Sequence, residues 1–155
     1  MAEQTTSEVQ IIKKSIDIAA PKEKVWQVLT DSAYTKIWYD AFCEGCTDTE
    51  IDWKVGGKAV FLAKSGDGMV GKVKVLEPGK CLIFEFDGML FKGVEDLDHP
   101  ESKAVKGAQE RYWLTEQNGI TTLRIEADMN PEYYNIMESS WEKGLQLAKE
   151  LAENK

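Results

Sequence analysis

The chain is poor in the features on which membrane, secreted and nucleic-acid-binding proteins depend. No apolar run approaches the roughly 18 residues that a membrane span needs, and the polar, acidic N-terminus lacks the basic and apolar regions of a signal peptide. Lysine and arginine number 19 against 27 aspartates and glutamates. The resulting net charge of −8 repels phosphate backbones and anionic lipid surfaces. We therefore expect a cytoplasmic protein with no nucleic-acid or membrane partner.

Thiols and imidazoles are also scarce. The three cysteines are expected to be reduced. Cys43 and Cys46 have the spacing of redox and zinc sites, but a redox pair belongs at a helix N-terminus, and zinc would also need Cys81 and His99. We expect ordinary loop cysteines, no metal and no cofactor. The single histidine, His99, lies in an acidic stretch and is expected at the surface, so no nucleophile–histidine pair is expected.

The chain does contain enough apolar and aromatic material for one core. Its 155 residues are 43% hydrophobic and 10% aromatic, which is typical of a single globular domain. No internal repeat or linker interrupts it. We expect residues 1–8 to form a flexible tail and residues 9–155 to form one domain.

Helices are predicted on both sides of a long stretch of strands. The imperfect alternation of residues 9–19 predicts a half-buried strand. A helix is expected to begin at Pro21, and a second short helix to cover residues 32–39. The last helix starts near Pro131, with Asn130 as its cap, and carries one apolar stripe. The stripe comprises Tyr134, Met137, Trp141, Leu145, Ala148 and Leu151 or Ala152.

Between the helices, the hydrophobic pattern changes to alternation. From Gly45 onward, short segments with every other residue apolar are separated by glycine-rich turns, which predicts an antiparallel meander of about six strands with one dry face. In one strand Met69, Gly71, Val73 and Val75 are expected to share that face, and Leu82, Phe84 and Phe86 share it in the next. The segment 89–107 breaks the rhythm, and we expect a mobile surface excursion with a turn of helix.

One hairpin can be assigned a register. Asn118-Gly119 is a strong two-residue turn signal. The resulting pairs are Leu114 with Leu123 and Tyr112 with Ile125 on one face, and Trp113 with Arg124 on the other, where a cation–π contact is expected. The same parity places Glu110 on the interior face.

An interior carboxyl group has two interpretations. Desolvation would raise the pKa of Glu110, as in a general acid or base. Alternatively, a bulge turns the side chain to solvent, or Arg111 or a lysine pairs with it.

The order of the elements implies a pocket. The dry face of the meander can be buried only against the long helix and the two short helices, and a twisted sheet around a helix leaves a space suited to a small molecule. Gly71 and Gly144 remove side chains from the facing surfaces and favour that space. The expected lining is Trp38, Phe61, Val73, Phe84, Phe86, Glu110, Tyr112, Leu123, Ile125, Met137 and Trp141.

Several ordered motifs resemble a known family. They are Ala20-Pro21-Lys22-Glu23-Lys24-Val25-Trp26, Leu29-Thr30-Asp31, Trp38, Asp52-Trp53-Lys54-Val55-Gly56-Gly57, Gly71-Lys72-Val73, Glu77-Pro78, the stretch 119–123 and the stretch 141–151. Together they resemble the heat-shock-ATPase-activator-like branch of the START-like (SRPBCC) superfamily. The resemblance implies an α+β helix-grip fold, in which a curved antiparallel sheet wraps around a long C-terminal helix with two short helices. Lys54 stands where the family more often has arginine, and Cys43 and Cys46 are not family features.

Three functions remain open at this point. The first is binding of a small, largely hydrophobic molecule, with Tyr112, Glu110 and Thr121 as polar groups that orient it. The second is a protein-interaction module related to the heat-shock ATPase activators, whose partner is a chaperone or a second copy of the chain. The third is a cyclase- or hydrolase-type enzyme with Glu110 as its base. We expect the first, and no catalytic residue is assigned.

Overall fold

The computed structural model describes residues 10–42 and 48–154. The strands are β1 (Gln10–Ile18), β2 (Asp48–Ile51), β3 (Lys58–Leu62), β4 (Gly68–Glu77), β5 (Cys81–Phe91), β6 (Val94–Glu95), β7 (Gln109–Gln117) and β8 (Ile120–Met129). The helices are α1 (Lys22–Thr30), α2 (Ser32–Trp38), α3 (Pro100–Val105) and α4 (Tyr134–Glu153). Short 3-10 turns follow α2 and precede α4. The predicted order of strand, two helices, meander and long helix is confirmed.

The strands form one antiparallel sheet in the order β1-β8-β7-β5-β4-β3-β2, with the short β6 paired to β5. The first strand therefore lies beside the last, and Ile16 pairs with Leu123 across that seam. Alternate residues of each strand point to the same face of the sheet, and those that point inward are mostly apolar. Its fully buried members include Ile12, Leu82, Phe84, Leu123 and Ile125.

The long helix α4 covers this inner face. Its buried residues are Trp141, Gly144, Leu145, Ala148 and Ala152, which follow the predicted stripe. The pair α1 and α2 packs against the same helix. Trp38, at the end of α2, is 1% exposed, and its indole Nε1 donates to the carbonyl oxygen of Val28 at 2.9 Å. That hydrogen bond satisfies the polar atom of a buried aromatic ring and ties the two short helices together.

The register predicted for the β7–β8 hairpin is confirmed. Leu114 opposes Leu123, and Tyr112 opposes Ile125. Asn118 and Gly119 both have positive φ, at 56° and 79°, as a tight hairpin turn requires. On the outer face the guanidinium carbon of Arg124 lies 4.6 Å from the centre of the Trp113 ring.

The prediction that Met69, Gly71, Val73 and Val75 share one face of β4 was wrong. The strand contains two register shifts against β5, at Val70/Gly71 and at Val73/Val75. Val73 opposes Phe84, whereas Val75 opposes Ile83. Since adjacent residues of β5 face opposite sides, Val75 lies on the outer face. Gly71 permits a close backbone approach: a Cβ there would lie 2.3 Å from the carbonyl oxygen of Glu85. This glycine accommodates the neighbouring strand and does not open a space.

The excursion after β5 contains the predicted turn of helix, and it is anchored by a buried hydroxyl group. Ser102 in α3 has no exposed surface. Its Oγ donates to the carbonyl oxygen of Asp96 at 2.5 Å and accepts from the backbone N–H of Met89 at 2.8 Å. Half-buried His99 caps α3, since its Nδ1 accepts from the backbone N–H of Glu101 at 3.1 Å. Its ring centre lies 4.3 Å from that of Phe91.

Within the described ranges, no helix is long and apolar enough to cross a membrane.

Candidate functional site

A carboxyl group and two phenols meet on the inner face of the sheet. Glu110 and Tyr112 are two residues apart in β7, so they point to the same side. The hydroxyl group of Tyr112 donates to Oε1 of Glu110 at 2.8 Å. Glu110 lies between Phe84 of β5 and Ala127 of β8 in the ladder. The interior position predicted for Glu110 is therefore what the structure shows.

The second phenol comes from another part of the chain. Tyr39 begins the 3-10 turn that follows α2, and its ring packs edge-on against Trp38 with 4.6 Å between centres. From there Tyr39 interacts electrostatically with both Glu110 and Tyr112. We call Glu110, Tyr112 and Tyr39 the Glu110 cluster.

Burial determines the protonation of the cluster. Desolvation raises the pKa of Glu110 from 4.5 to about 7, although the hydrogen bond from Tyr112 acts in the opposite direction. Burial, followed by the charge of Glu110, raises the pKa of Tyr39 far above its usual 10. The same causes raise the pKa of Tyr112 well above 10. Both phenols therefore keep their protons at every physiological pH, whereas Glu110 titrates near neutrality.

Among the described residues, no lysine, arginine or histidine forms an ion pair with Glu110. Arg111 cannot do so because strand alternation directs it to the opposite face. There its guanidinium binds Asp128 at 2.8 Å and lies 3.6 Å from Glu126. The proposal that Arg111 or a lysine pairs with Glu110 is thus not borne out in this part of the chain.

Two polar atoms of the cluster have no hydrogen-bond partner among the residues that the structure describes. In residues 10–42 and 48–154, the second oxygen of Glu110 and the hydroxyl oxygen of Tyr39 have no hydrogen-bond partner. The one fully enclosed side-chain nitrogen or oxygen without a partner in those ranges is Nη1 of Arg111. The two oxygens therefore reach accessible space, and both residues keep part of their surface exposed. An atom that is desolvated yet reachable is typical of a binding cleft.

Aromatic rings surround the cluster. The ring centres of Tyr112 and Phe84 are 6.4 Å apart, and those of Tyr112 and Trp141 are 5.9 Å apart. Phe61 lies 5.3 Å from Phe84 and 6.1 Å from Tyr39. These distances are those of packed aromatic pairs, and the rings meet edge-to-face or tilted. The surroundings of the cluster are therefore largely aromatic and well packed.

The eleven residues predicted to line a pocket differ in what they can touch. Phe61, Glu110 and Met137 are half-buried and keep accessible surface. Val73, Leu123 and Ile125 have no accessible surface, so in this structure they are part of the packed core. The others are at most 4% exposed: Trp38, Phe84, Phe86, Tyr112 and Trp141. Their contact with a ligand stays a prediction.

Sequence reasoning missed two aromatic residues of the site, Tyr39 and Phe42. The ring of Phe42 lies 4.8 Å from that of Trp141. Neither residue lies in a periodic apolar pattern. Apart from Trp38, the aromatic rings that they contact are far away in the chain: Phe61 for Tyr39 and Trp141 for Phe42. The only sequence signal was their closeness to Trp38 at the end of the predicted second helix.

Gly144 was expected to favour a space, and this expectation is wrong. A Cβ at this position would lie 3.0 Å from Cε2 of Phe42 and 3.6 Å from Cε3 of Trp38. The glycine therefore lets the Phe42 ring pack directly on the backbone of α4.

The hydroxyl group of Thr121, which was expected to orient a ligand, already has a partner in the protein. It is buried and donates to the carbonyl oxygen of Ala20 at 2.7 Å.

Two surface hollows lie elsewhere. One, of about 350 Å³, is on the outer face and includes Lys58, Val70, Lys72, Asp87 and Leu97. The other, of about 390 Å³, includes Thr30, Thr35, Ile51 and Trp53. Neither includes any of the eleven predicted residues.

Metal ligands do not gather in the part of the chain that the structure describes. That part contains no group of three or more histidine, cysteine, aspartate or glutamate residues that could hold a metal ion. Cys81 is a free, buried cysteine. Cys43 and Cys46 lie outside the described residues.

A curved antiparallel sheet around a long C-terminal helix, with two short helices beside it, defines the helix-grip class of α+β proteins. The chain belongs to the family described as activator of Hsp90 ATPase homolog 1-like protein, whose model matches residues 19–151. The family resemblance and the fold class predicted from the sequence are thus confirmed. No curated protein matches the chain.

Solved structures have the same fold at low sequence identity. Protein MLL2253 from Mesorhizobium loti is 20% identical, with a TM-score of 0.72 over 92% of this chain and 96% of its own. The Aha1 dimer from Colwellia psychrerythraea is 21% identical, with a TM-score of 0.72 over 94% and 97%. CalU16 from Micromonospora echinospora is 19% identical, with a TM-score of 0.64 over 95% and 78%.

Proposed function

We propose that this chain binds a small, largely apolar molecule between the inner face of the sheet and α4, with the Glu110 cluster at the polar end of the site. The observation that carries the proposal is a pair of oxygens, on Glu110 and Tyr39, that no described residue hydrogen-bonds and that lie among aromatic rings. Water can reach these oxygens in the free protein, so a ligand that covers them must supply hydrogen bonds in place of that water; an unpaired atom would cost about 1–3 kcal/mol. The two oxygens therefore favour a ligand with a polar group at this end.

The apolar walls would supply most of the affinity. Burial of apolar surface contributes roughly 25 cal/mol per Å² removed from water, before the cost of immobilising the ligand. The family and the fold support this proposal, since small-molecule sites are concave and mostly apolar, as the inner face of a curved sheet is.

The first experiment compares the intact mass of freshly purified protein under native and denaturing conditions. We expect a reproducible mass excess that disappears on denaturation. The neutral fluorescent probe N-phenyl-1-naphthylamine is then titrated into protein from which that molecule has been removed, and we expect saturable binding.

Two neighbouring residues of α4 provide a matched pair of variants. Met137 is half-buried on the inner stripe, whereas Ile136 is 67% exposed. Met137→Trp should fill accessible space and weaken probe binding at least tenfold, and Ile136→Trp should leave it unchanged. Equal native and denatured masses together with no saturable probe binding would contradict the proposal.

A second candidate is a protein-interaction role, which the family description and the exposed apolar residues of the β5–β7 excursion favour. Val94 and Leu97 on that segment are 65% and 48% exposed. The partner would be a chaperone of the ninety-kilodalton class or a second copy of the chain. We expect Val94→Asp with Leu97→Asp to abolish stimulation of the chaperone ATPase or dimer formation in light scattering. Binding of the neutral probe should survive in that variant.

A further inference from the structure

The Glu110 cluster contains an acid without a compensating cation. A buried, ionised carboxylate is stable only if a cation or several hydrogen bonds support it. From the described residues Glu110 receives one hydrogen bond, donated by Tyr112. The other residues that contact its position in the ladder or pack on Tyr112 are apolar: Phe84, Ala127 and Trp141. The titratable groups that face it from the described elements are the two phenols, Tyr39 and Tyr112.

Such a carboxyl group is neutral in the folded protein at mildly acidic pH, and burial holds its pKa near 7. Tyr112 occupies Oε1, so the acidic proton is on the free oxygen, Oε2. Tyr39 also carries a proton on an oxygen that no described residue uses. The site therefore presents two donors and no unused acceptor of comparable strength.

We propose that the site selects neutral molecules that present a hydrogen-bond acceptor, of the ketone or ester carbonyl class, to Oε2 of Glu110 and the hydroxyl group of Tyr39. The inference rests on the proposed function, because it assigns a polar group to the molecule bound there. A hydrocarbon would leave both donors unpaired, and an anion would lose its hydration in an apolar site without a described cation to compensate it. A cationic amine would instead bind best when Glu110 is ionised. The way in which affinity for these four kinds of molecule changes with pH therefore shows which chemical class the site prefers.

The test uses four one-ring probes of similar size: acetophenone, ethylbenzene, benzoate and benzylammonium. Their affinities are measured by titration of the tryptophan indole N–H signals in NMR spectra, at pH 6.0 and pH 8.5. At pH 6.0 we expect acetophenone to bind about tenfold more tightly than ethylbenzene, the ratio expected for two hydrogen bonds that contribute about threefold each. At pH 8.5 we expect the preference to fall to less than threefold, since the ionised carboxylate no longer donates.

Two variants separate the donors from the rest of the site. Glu110→Gln keeps an acceptor for Tyr112 and a donor on the free side but does not titrate. We expect it to retain the preference for acetophenone at both pH values. Tyr39→Phe should lower the preference at pH 6.0 about threefold and leave ethylbenzene binding unchanged.

Each outcome has one meaning. If ethylbenzene binds and acetophenone binds no better at pH 6.0, the carbonyl inference is wrong and the proposed function stands. Tighter binding of benzoate or benzylammonium than of acetophenone at pH 6.0 would also overturn the inference. If none of the four probes binds, both the inference and the proposed function fail.

Discussion

At the scale of single residues, Glu110 is the group on which the proposed site depends. It is a carboxyl group on the dry face of a sheet, with Tyr112 as its hydrogen-bond partner and Tyr39 nearby. Such a residue weakens the fold at neutral pH, because the ionised form is desolvated without a cation. Proteins retain groups of this kind where they are used, so its position is evidence for a site rather than for stability.

This arrangement predicts how stability changes with pH. The pKa of Glu110 is about 7 in the folded protein and is expected to return to about 4.5 on unfolding. Between these values the unfolded chain binds fewer protons, so the free energy of unfolding falls as pH rises. This decrease in the free energy of unfolding is complete above pH 7 and absent below pH 4.5. We expect Glu110→Gln to gain roughly 2–3 kcal/mol relative to the wild type between pH 5 and pH 8.

Urea denaturation of both proteins at pH 5, 6, 7 and 8 measures this difference. Glu101→Gln is the control, because Glu101 is exposed in the first turn of α3. That variant should follow the wild type at all four values. A constant difference between wild type and Glu110→Gln would mean that Glu110 ionises normally in the folded state.

Sequence reasoning could place Glu110 and Tyr112 because strand parity is a local property that a clear turn signal fixes in register. It could not place Tyr39. That residue meets the cluster only because α2 and the turn after it pack against α4, and a contact between residues so distant in the chain leaves no local pattern.

At the scale of elements, the contact between α4 and the turn after α2 depends on the absence of one side chain. Gly144 lets the ring of Phe42 approach the helix backbone, with Trp38 and Trp141 on either side. A branched side chain there would displace the ring from a packed position. Overpacking of this kind typically costs 1–3 kcal/mol.

We therefore expect Gly144→Val to lower the free energy of unfolding by about 2 kcal/mol or more. Gly144→Ala should be close to neutral, because the helix propensity of alanine offsets a small shift of the Phe42 ring. Lys143→Val, at an exposed position of the same helix, reports the cost of a β-branched residue in α4 by itself. Equal effects of the two valine variants in urea denaturation would show that Phe42 does not pack on Gly144.

The elements themselves were predictable where periodicity was regular, as in α4 and the β7–β8 hairpin. The register shifts of β4 were not, because a bulge inserts a residue without a distinct sequence signal. The role of Gly144 was misjudged for a related reason. A missing side chain permits either a space or a close neighbour, and the neighbour, Phe42, comes from elsewhere in the chain.

At the scale of the whole molecule, the net charge of −8 acts on the folded state as self-repulsion. Salt screens such long-range repulsion more than it weakens close, partly buried pairs such as Arg111 with Asp128. We expect an increase in NaCl from 20 to 300 mM to raise the melting temperature by roughly 3 °C at pH 7.5. Near pH 5, close to the isoelectric point of about 4.8, the increase should vanish. A decrease at pH 7.5 would mean that the ion pairs outweigh the net charge.

The pairing of β1 with β8 has a consequence for how the chain is made. During synthesis the first strand leaves the ribosome more than a hundred residues before its partner, since Gln10 pairs with Met129. The helix that covers the inner face, α4, is translated later still. Contacts between residues so far apart form slowly, and the apolar face of the nascent sheet remains uncovered until α4 has been translated. Premature termination anywhere before α4 would therefore release an aggregation-prone fragment, so the yield of folded protein depends on translation that continues through this helix.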